Sequence, residues 1–247
     1  MKLIFPFVIA GALLLIAGMA RAAGVPVLVL NDANASPFTT LDGKGFLDAV
    51  AGEAFRRAGV RLQLVRLPAE RGLINANAGI EDGDLSRITG LEAQYPNLVR
   101  VPEKLVDWKF TAFSKNAVLP ASLEGLRTRR VGYIKGWKIF EKQFAGAPNV
   151  VSTGDPEQMF RQLQLDRIEV ALYEHWQGLS LIQSQGLKGV LALDPPLANC
   201  EMFIYLHKRH AALVPRLAEA LRGIKAEGLY DRLYREKVLA LKDTFGR

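Results

Sequence analysis

The hydrophobic and polar positions of this chain follow two alternating periods, which predict strands and helices in turn. Val25 to Leu30 is a short apolar run, typical of a strand buried on both faces. Apolar residues then recur at helical spacing from Phe46 to Phe55, and Gly59 ends that helix. Strand-like and helix-like segments keep alternating to the end of the chain. This alternation predicts an α/β fold with mainly parallel sheets.

The remaining predicted elements are apolar segments, several of them bounded by glycine, proline or a capping residue. The clearest boundary is Thr153-Gly154-Asp155-Pro156, where a capping side chain precedes a proline at the first helical position. Strands are predicted at residues 60–67, 84–88, 98–101, 108–114, 130–134, 150–152, 168–173 and 200–206. Helices are predicted at residues 68–78, 123–126, 136–144, 156–165, 175–185, 211–226 and 230–241.

Residues 1–22 have the three parts of a secretion signal. Lys2 gives a positive start, the run to Ala20 is almost wholly apolar, and Ala20-Arg21-Ala22 ends it with small residues at the two positions that a signal peptidase reads. A membrane anchor is the alternative, since an apolar run of about 18 residues can just span a bilayer. Cleavage before Ala23 is the favoured interpretation, because Gly11 and Gly18 interrupt the run.

Composition argues against several kinds of partner and site. The chain has 32 Lys and Arg residues against 25 Asp and Glu, but the basic residues are scattered rather than clustered as in a nucleic-acid-binding protein. Cys200 is the single cysteine, so no internal disulfide can form, and its apolar neighbours predict a buried, inert thiol.

Catalytic and cofactor motifs are not evident in the sequence. Neither a Gly-x-Ser-x-Gly nucleophile motif nor a phosphate-binding glycine loop occurs. His207-x-x-His210 could place two nitrogens on one helical face, but no carboxylate or cysteine pattern completes a metal site. We therefore expect a protein that is not an enzyme and that has no catalytic residues, metal or cofactor.

Several short motifs follow one another in an order typical of a known family. Ser36-Pro37-Phe38 and Asp42-Gly43 resemble its opening loop, and Leu123 to Leu126, followed by Gly132 and Gly136, resembles the entry to its second lobe. The segment 169–174 matches its strand that ends on an acidic residue. In these motifs the chain resembles the family 3 extracellular solute-binding proteins, which are periplasmic receptors for polar amino acids and related solutes.

The resemblance implies a type II periplasmic binding fold. Each of two lobes would be a mainly parallel sheet flanked by helices, with two hinge crossovers between them. Lobe 1 would comprise residues 23–112 and 200–247, and lobe 2 residues 113–199, after a signal peptide at 1–22. The implied protein is a periplasmic monomer that captures a small polar, anionic or amino-acid-like solute for the permease of an ABC-type transporter. A dehydratase-like enzyme on this fold and a periplasmic signalling or accessory protein are the alternatives.

The basic candidates for ligand binding follow from one departure from the family. Its amino-acid receptors usually have a Thr-x-x-Arg element, whereas residues 87–93 here read Arg-Ile-Thr-Gly-Leu-Glu-Ala. Arg87 is therefore the leading ligand residue, because a guanidinium binds a carboxylate through two parallel hydrogen bonds. An ion pair with an acidic residue at position 81, 82 or 84 is the alternative. Arg71 opens the preceding helix and is a second candidate.

The other candidate ligand residues are one acid, three aromatic residues and one turn. Glu174 ends a predicted strand where relatives hold an acid against the ligand's ammonium. Phe38, Trp108 and Trp137 could form apolar walls of the cleft, although aromatic residues more often belong to the core. The turn Gly136-Trp137-Lys138 opens a predicted helix, so its free amides could receive an anion, and a tight turn is the alternative.

Overall fold

The computed structural model describes residues 24–241, so the predicted secretion signal at 1–22 lies outside the described residues. The strands are β1 (Val27–Asp32), β2 (Arg61–Arg66), β3 (Gly83–Arg87), β4 (Leu98–Arg100), β5 (Val106–Ser114), β6 (Val131–Ile134), β7 (Val150–Thr153), β8 (Val170–Glu174), β9 (Leu191–Ala192) and β10 (Ala198–His207). In the described range, no helix combines the length and hydropathy needed to cross a membrane.

Eight α-helices are described alongside these strands, with two short 3-10 helices at Lys208–Leu213 and Leu239–Leu241. The α-helices are α1 (Phe46–Arg57), α2 (Ala69–Ala78), α3 (Leu123–Leu126), α4 (Lys138–Gln143), α5 (Pro156–Gln164), α6 (His175–Gln185), α7 (Val214–Ala226) and α8 (Leu229–Lys237). Asp155 caps α5 by accepting a hydrogen bond from the Glu157 amide, as the sequence predicts. α2 ends at Gly79, whose φ of 75° suits a residue without a side chain.

The sheet is continuous and curled, in the order β2-β1-β3-β10-β5-β8-β6-β7. Strand pairs at its two ends are parallel: β1 with β2 and β3, and β6 with β7 and β8. The central strands β10 and β5 are antiparallel to their neighbours. The predicted α/β fold is confirmed, and its sheet is mixed, because the predicted parallel pairing holds at the two ends while β10 and β5 pair in the antiparallel direction.

Two long strands connect the two halves of the sheet. The first part of β5 pairs with β10, residues Phe110 to Phe113 pair with β8, and the end of the strand also pairs with β9. The last part of β10 pairs with β3 and β4 instead. The chain therefore passes between the halves along these two strands, and we keep the lobe limits given above as a proposal.

Three details differ from the predicted elements. The two-residue strand β9 was not predicted, because so short a pair has no periodicity. The predicted helix at 211–226 begins as α7 only at Val214, and the preceding residues form a 3-10 helix. Helix α4 is shorter than the predicted 136–144, because Gly136 has a φ of 89° and cannot be part of an α-helix.

Candidate ligand-binding cleft

Two cavities lie side by side where the carboxyl ends of β1 and β3 face α4 and β8. The narrow cavity has about 410 Å³ of unfilled space and is lined by Arg87, Trp108, Phe110 and the apolar side chains around them. The wide cavity has about 740 Å³, is open to solvent, and is lined by Asp32, Arg66, Asp155 and Tyr173. Open α/β sheets bind ligands outside the carboxyl ends of their strands, so the position suits a binding site.

Arg87 lines the narrow cavity but is already engaged there. Its Nη2 donates to Asp84 Oδ2 at 2.7 Å and to the carbonyl oxygen of Ala69 at 2.8 Å, and both charged side chains are buried. Both bidentate edges of a guanidinium include Nη2, so neither edge is free for the predicted two-bond contact with a carboxylate. The ion pair with residue 84, the alternative to ligand binding, is the arrangement that the structure has. Only Nε, which has no partner among the described residues, remains as a buried free donor.

Two of the three amides of the turn at Gly136 are engaged within the protein rather than free for an anion. The Gly136 amide donates to Glu141 Oε1 at 2.7 Å, and the Trp137 amide donates to the Ile134 carbonyl oxygen at 3.1 Å. The Lys138 ammonium lies 2.8 Å from both Glu141 Oε2 and Glu70 Oε2. These two carboxylates raise the pKa of Lys138 against the effect of its partial burial. The positive charge of the turn is therefore neutralised within the protein.

The three predicted aromatic wall residues belong to one cluster but have different surroundings. Phe38 is fully buried in the core, stacks on Trp108 at 6.2 Å between ring centroids, and lines neither cavity. Trp108 lines the narrow cavity. Trp137 lines both cavities and stacks on Tyr173 with ring centroids 5.0 Å apart. The wall prediction is thus consistent with the placement of the two tryptophans and not with that of Phe38.

The wide cavity is rich in hydrogen-bond acceptors. Asp32, which is 1% exposed, accepts bonds at Oδ1 from the amide and the side chain of Asn34, while its Oδ2 meets no donor in hydrogen-bonding geometry within residues 24–241. Asn34 Oδ1, in a side chain 7% exposed, also lacks a described donor. Burial raises the pKa of Asp32 above its ordinary value, although hydrogen bonds from the Thr39 hydroxyl and from Asn34, and the charge of Arg66, act in the opposite direction. Such buried acceptors are costly unless a donor reaches them.

Glu174 and Arg71 lie away from both cavities. Glu174 is fully buried at the end of β8, where its Oε2 accepts a hydrogen bond from the Gln177 amide at 2.9 Å and caps α6. Burial raises its pKa to about 8. Gln177 in turn accepts a hydrogen bond from the Ala35 amide at 2.7 Å. Arg71 is exposed on α2. Neither side chain is among the lining residues of the two described cavities, so the structure gives no support to either as a ligand contact.

We compared the chain with known protein families, sequences and solved structures to identify its fold. No protein-family model matches the chain. A protein of unknown function from Shewanella oneidensis is 26% identical over 199 residues, which are 77% of this chain and 75% of that protein. A histidine kinase sensor domain with similarity to periplasmic binding proteins superposes with a TM-score of 0.76 at 17% identity, covering 86% of this chain and 96% of that one.

Two solved amino-acid receptors agree with this result. A variant of the arginine-binding protein ArgBP from T. maritima gives a TM-score of 0.72 at 19% identity, covering 85% of this chain and 94% of that one. ArtJ, the arginine-, lysine- and histidine-binding protein of Geobacillus stearothermophilus, gives a TM-score of 0.72 at 18% identity, covering 86% of this chain and 94% of that one. This chain has the type II periplasmic binding fold. These neighbours are binding proteins, and at such identities they establish the fold alone.

Within this fold, sequence reasoning missed the acceptors of the wide cavity. Neither Asp32 nor Asn34 is among the candidate ligand residues predicted from the sequence. Their signal was their position: Asp32 is the last residue of a buried strand, where ligands of parallel sheets bind. Ser86, at the end of β3, was missed for the same reason, and its hydroxyl lines the narrow cavity without a described partner.

Metal and thiol chemistry receive no support from the described residues. Within residues 24–241, no group of three or more His, Cys, Asp and Glu side chains could hold a metal ion. His210 does not share a helical face with His207: its Nε2 lies 2.6 Å from Asp82 Oδ1, at the opposite end of β3 from Arg87. Cys200 is half-buried on β10, and burial raises the pKa of its thiol.

Proposed function

We propose that this chain is a periplasmic solute-binding protein that takes a small, amino-acid-like solute into the wide cavity for delivery to an ABC-type transporter. The observation that carries the proposal is a pair of buried side chains, Asp32 and Asn34, at a solvent-connected cavity. Among the described residues, Asn34 Oδ1 has no donor, and the Asp32 carboxyl has only Asn34 and the neighbouring Thr39 hydroxyl. A ligand that carries N–H or O–H groups supplies the missing donors. The proposal includes export by the signal at 1–22, cleavage before Ala23, a monomeric state and a permease partner.

The charges around the cleft support a ligand with an ammonium group rather than a purely anionic solute. Arg87 and Lys138 are each matched by carboxylates of the protein, so the narrow cavity has no net positive charge to offer. The wide cavity has Asp32 and Asp155 against the single cation Arg66, which is exposed. We infer that the ammonium of the ligand lies against Asp32 and that any carboxylate points outward to Arg66.

The test is a thermal-shift screen of the standard amino acids, simple organic acids and simple amines, since a ligand that binds only the folded state raises the melting temperature. Calorimetric titration of the best compound then compares the wild type with Asp32→Asn. We expect the variant to lose roughly ten- to a hundredfold in affinity, because a hydrogen bond to a charged group contributes about 1.5 to 3 kcal/mol. Burial already disfavours the charged form of Asp32, so neutralising it is not expected to unfold the protein.

The control is Asp107→Asn, which removes the same charge from an exposed side chain paired with Lys104. It should bind as the wild type does. A screen in which no compound raises the melting temperature would remove the solute-binding proposal. Equal affinity of Asp32→Asn and wild type would place the ligand elsewhere on the protein.

A signalling role is the second candidate, and the likeness to a histidine kinase sensor domain favours it. Both roles need the same cleft and differ in the partner that recognises the ligand-bound form. Stimulation of a reconstituted transporter's ATPase by the ligand-bound protein supports delivery. Ligand-dependent binding to a sensor kinase, without that stimulation, supports signalling.

A further inference from the structure

We propose that Trp137 sets the length of the ligand by separating the wide cavity from the narrow one. The inference rests on the proposed function, because it concerns the same cleft. Three residues line both cavities: Ala33, Asn34 and Trp137. Ala33 and Asn34 belong to the loop after β1 and carry small side chains. The indole of Trp137, which comes from the opposite side of the cleft, is the one large group in the partition.

The position of the indole ring is fixed from several sides. It is 6% exposed and stacks on Tyr173 with an interplanar angle of 4°. Its centroid lies 5.2 Å from that of Trp108 and 5.5 Å from that of Phe110. A ring with neighbours on this many sides has no free volume to rotate into, so it acts as a wall rather than as a mobile gate.

The backbone next to the ring is fixed as well. Gly136 has a φ of 89°, and a Cβ built on it would lie 2.4 Å from the backbone nitrogen of Glu70 on the other side of the cleft. The Lys138 ammonium holds the same segment through its 2.8 Å contact with Glu70 Oε2. The two residues that flank Trp137 are therefore held against α2, which keeps the ring between the cavities.

The space behind the ring has an apolar part. The narrow cavity is lined there by Ile88, Leu91 and Ile139. An aliphatic chain that starts at Asp32 would gain contact with these side chains only by passing Trp137. We infer that the protein accepts short ligands and excludes those whose apolar tail needs the narrow cavity.

The experiment is a chain-length series of linear L-2-aminoalkanoic acids: alanine, norvaline, norleucine, 2-aminooctanoic acid and 2-aminodecanoic acid. Affinities are measured by calorimetry for the wild type, Trp137→Ala and the milder Trp137→Leu. Each methylene that enters an apolar cavity improves affinity about fourfold. In the wild type we expect affinity to stop improving at a short chain. In the variants it should keep improving, so that the longest acid binds at least tenfold more tightly than to the wild type.

The control is Phe140→Leu, because Phe140 packs on Trp137 at 6.3 Å and lines neither cavity. This variant loosens the packing of the same aromatic cluster and should keep the wild-type length limit. The control therefore distinguishes a specific effect of the Trp137 ring from a general loss of packing. If Trp137→Ala does not fold, Trp137→Leu carries the comparison.

Three results would overturn the inference. One is a wild type whose affinity keeps improving with each added methylene up to the ten-carbon acid. Another is a pair of Trp137 variants whose affinity stops improving at the same chain length as that of the wild type. In either case the proposed function still stands. Failure of every acid, and of the screened solutes, to bind any of these proteins would remove the proposed function together with the inference.

Discussion

The two cavities of the cleft both contain charged side chains but differ in whether those side chains are paired within the protein. In the narrow cavity, the Arg87 guanidinium is paired with Asp84 and the Lys138 ammonium with Glu70 and Glu141. In the wide cavity, the buried Asp32 carboxyl forms no ion pair within residues 24–241, and its Oδ2 meets no donor in hydrogen-bonding geometry there. The difference teaches that a charged side chain indicates a ligand only when the protein has left it incomplete, because a satisfied buried pair gains little from further partners.

The largest expected effect is a loss of stability when the buried ion pair beside the narrow cavity is broken. Asp84→Ala leaves the buried Arg87 guanidinium without its carboxylate. Removing one partner of a buried ion pair costs about 3 to 5 kcal/mol in the free energy of unfolding. Urea denaturation monitored by circular dichroism measures this cost. Asp107→Asn breaks an exposed pair and should cost at most about 1 kcal/mol. Equal losses in the two variants would mean that the pair is not structural.

A second buried carboxyl, Glu174, sharpens the contrast with Asp32, since its Oε2 caps a helix and its other oxygen, although it has no partner among the described residues, faces neither described cavity. Its pKa of about 8 in the fold lies above the ordinary value of 4.5, so the folded state holds a proton that the unfolded state releases. Stability should therefore fall as the pH rises from about 4.5 to about 8. Glu174→Gln should remove that fall and stabilise the protein at pH 8 by up to about 4 kcal/mol, at 1.36 kcal/mol per pKa unit.

Urea unfolding at about pH 5 and pH 8 tests this expectation, with the difference between variant and wild type isolating the one group. The control is Glu157→Gln, which removes an exposed carboxylate from the first turn of α5. It should show no comparable pH-dependent difference. A wild type that loses no stability relative to Glu174→Gln over this pH range would show that Glu174 is ionised in the fold.

The fold was more predictable than the site, for a physical reason. Elements such as α1 and α5 are determined by local periodicity and capping, which the sequence displays directly. Whether Arg87 is free depends on the rotamers of Asp84 and on the Ala69 carbonyl oxygen, which comes from a different element. Residue type therefore identified Arg87 as a candidate, and only the packed structure shows that its Nη2 is engaged.

The position of a residue on its strand was a better guide than its charge, but an incomplete one. Asp32 and Glu174 both end buried strands at the carboxyl side. Asp32 faces the wide cavity, whereas Glu174 turns to the amide of Gln177 three residues later and is enclosed. A sequence contains no sign of which of these two orientations its carboxylate takes, because helix capping and ligand binding use the same acceptor oxygens.

The smallest expected effect is the change in ligand affinity when Arg87 is replaced. The double variant Asp84→Asn with Arg87→Met removes both charges of the pair and leaves an amide oxygen at residue 84 for the side chain of Asn31, which now donates to Asp84 at 2.9 Å. Because both partners change together, no buried charge is left unpaired, and the protein should fold. A ligand held in the wide cavity loses no contact in this variant. Calorimetric titration with the best compound of the screen should therefore give an affinity within about threefold of the wild type, a change of less than about 1 kcal/mol. A loss of thirtyfold or more in a folded double variant would show that Arg87 donates to the ligand, and would place the binding site in the narrow cavity, on the other side of Trp137.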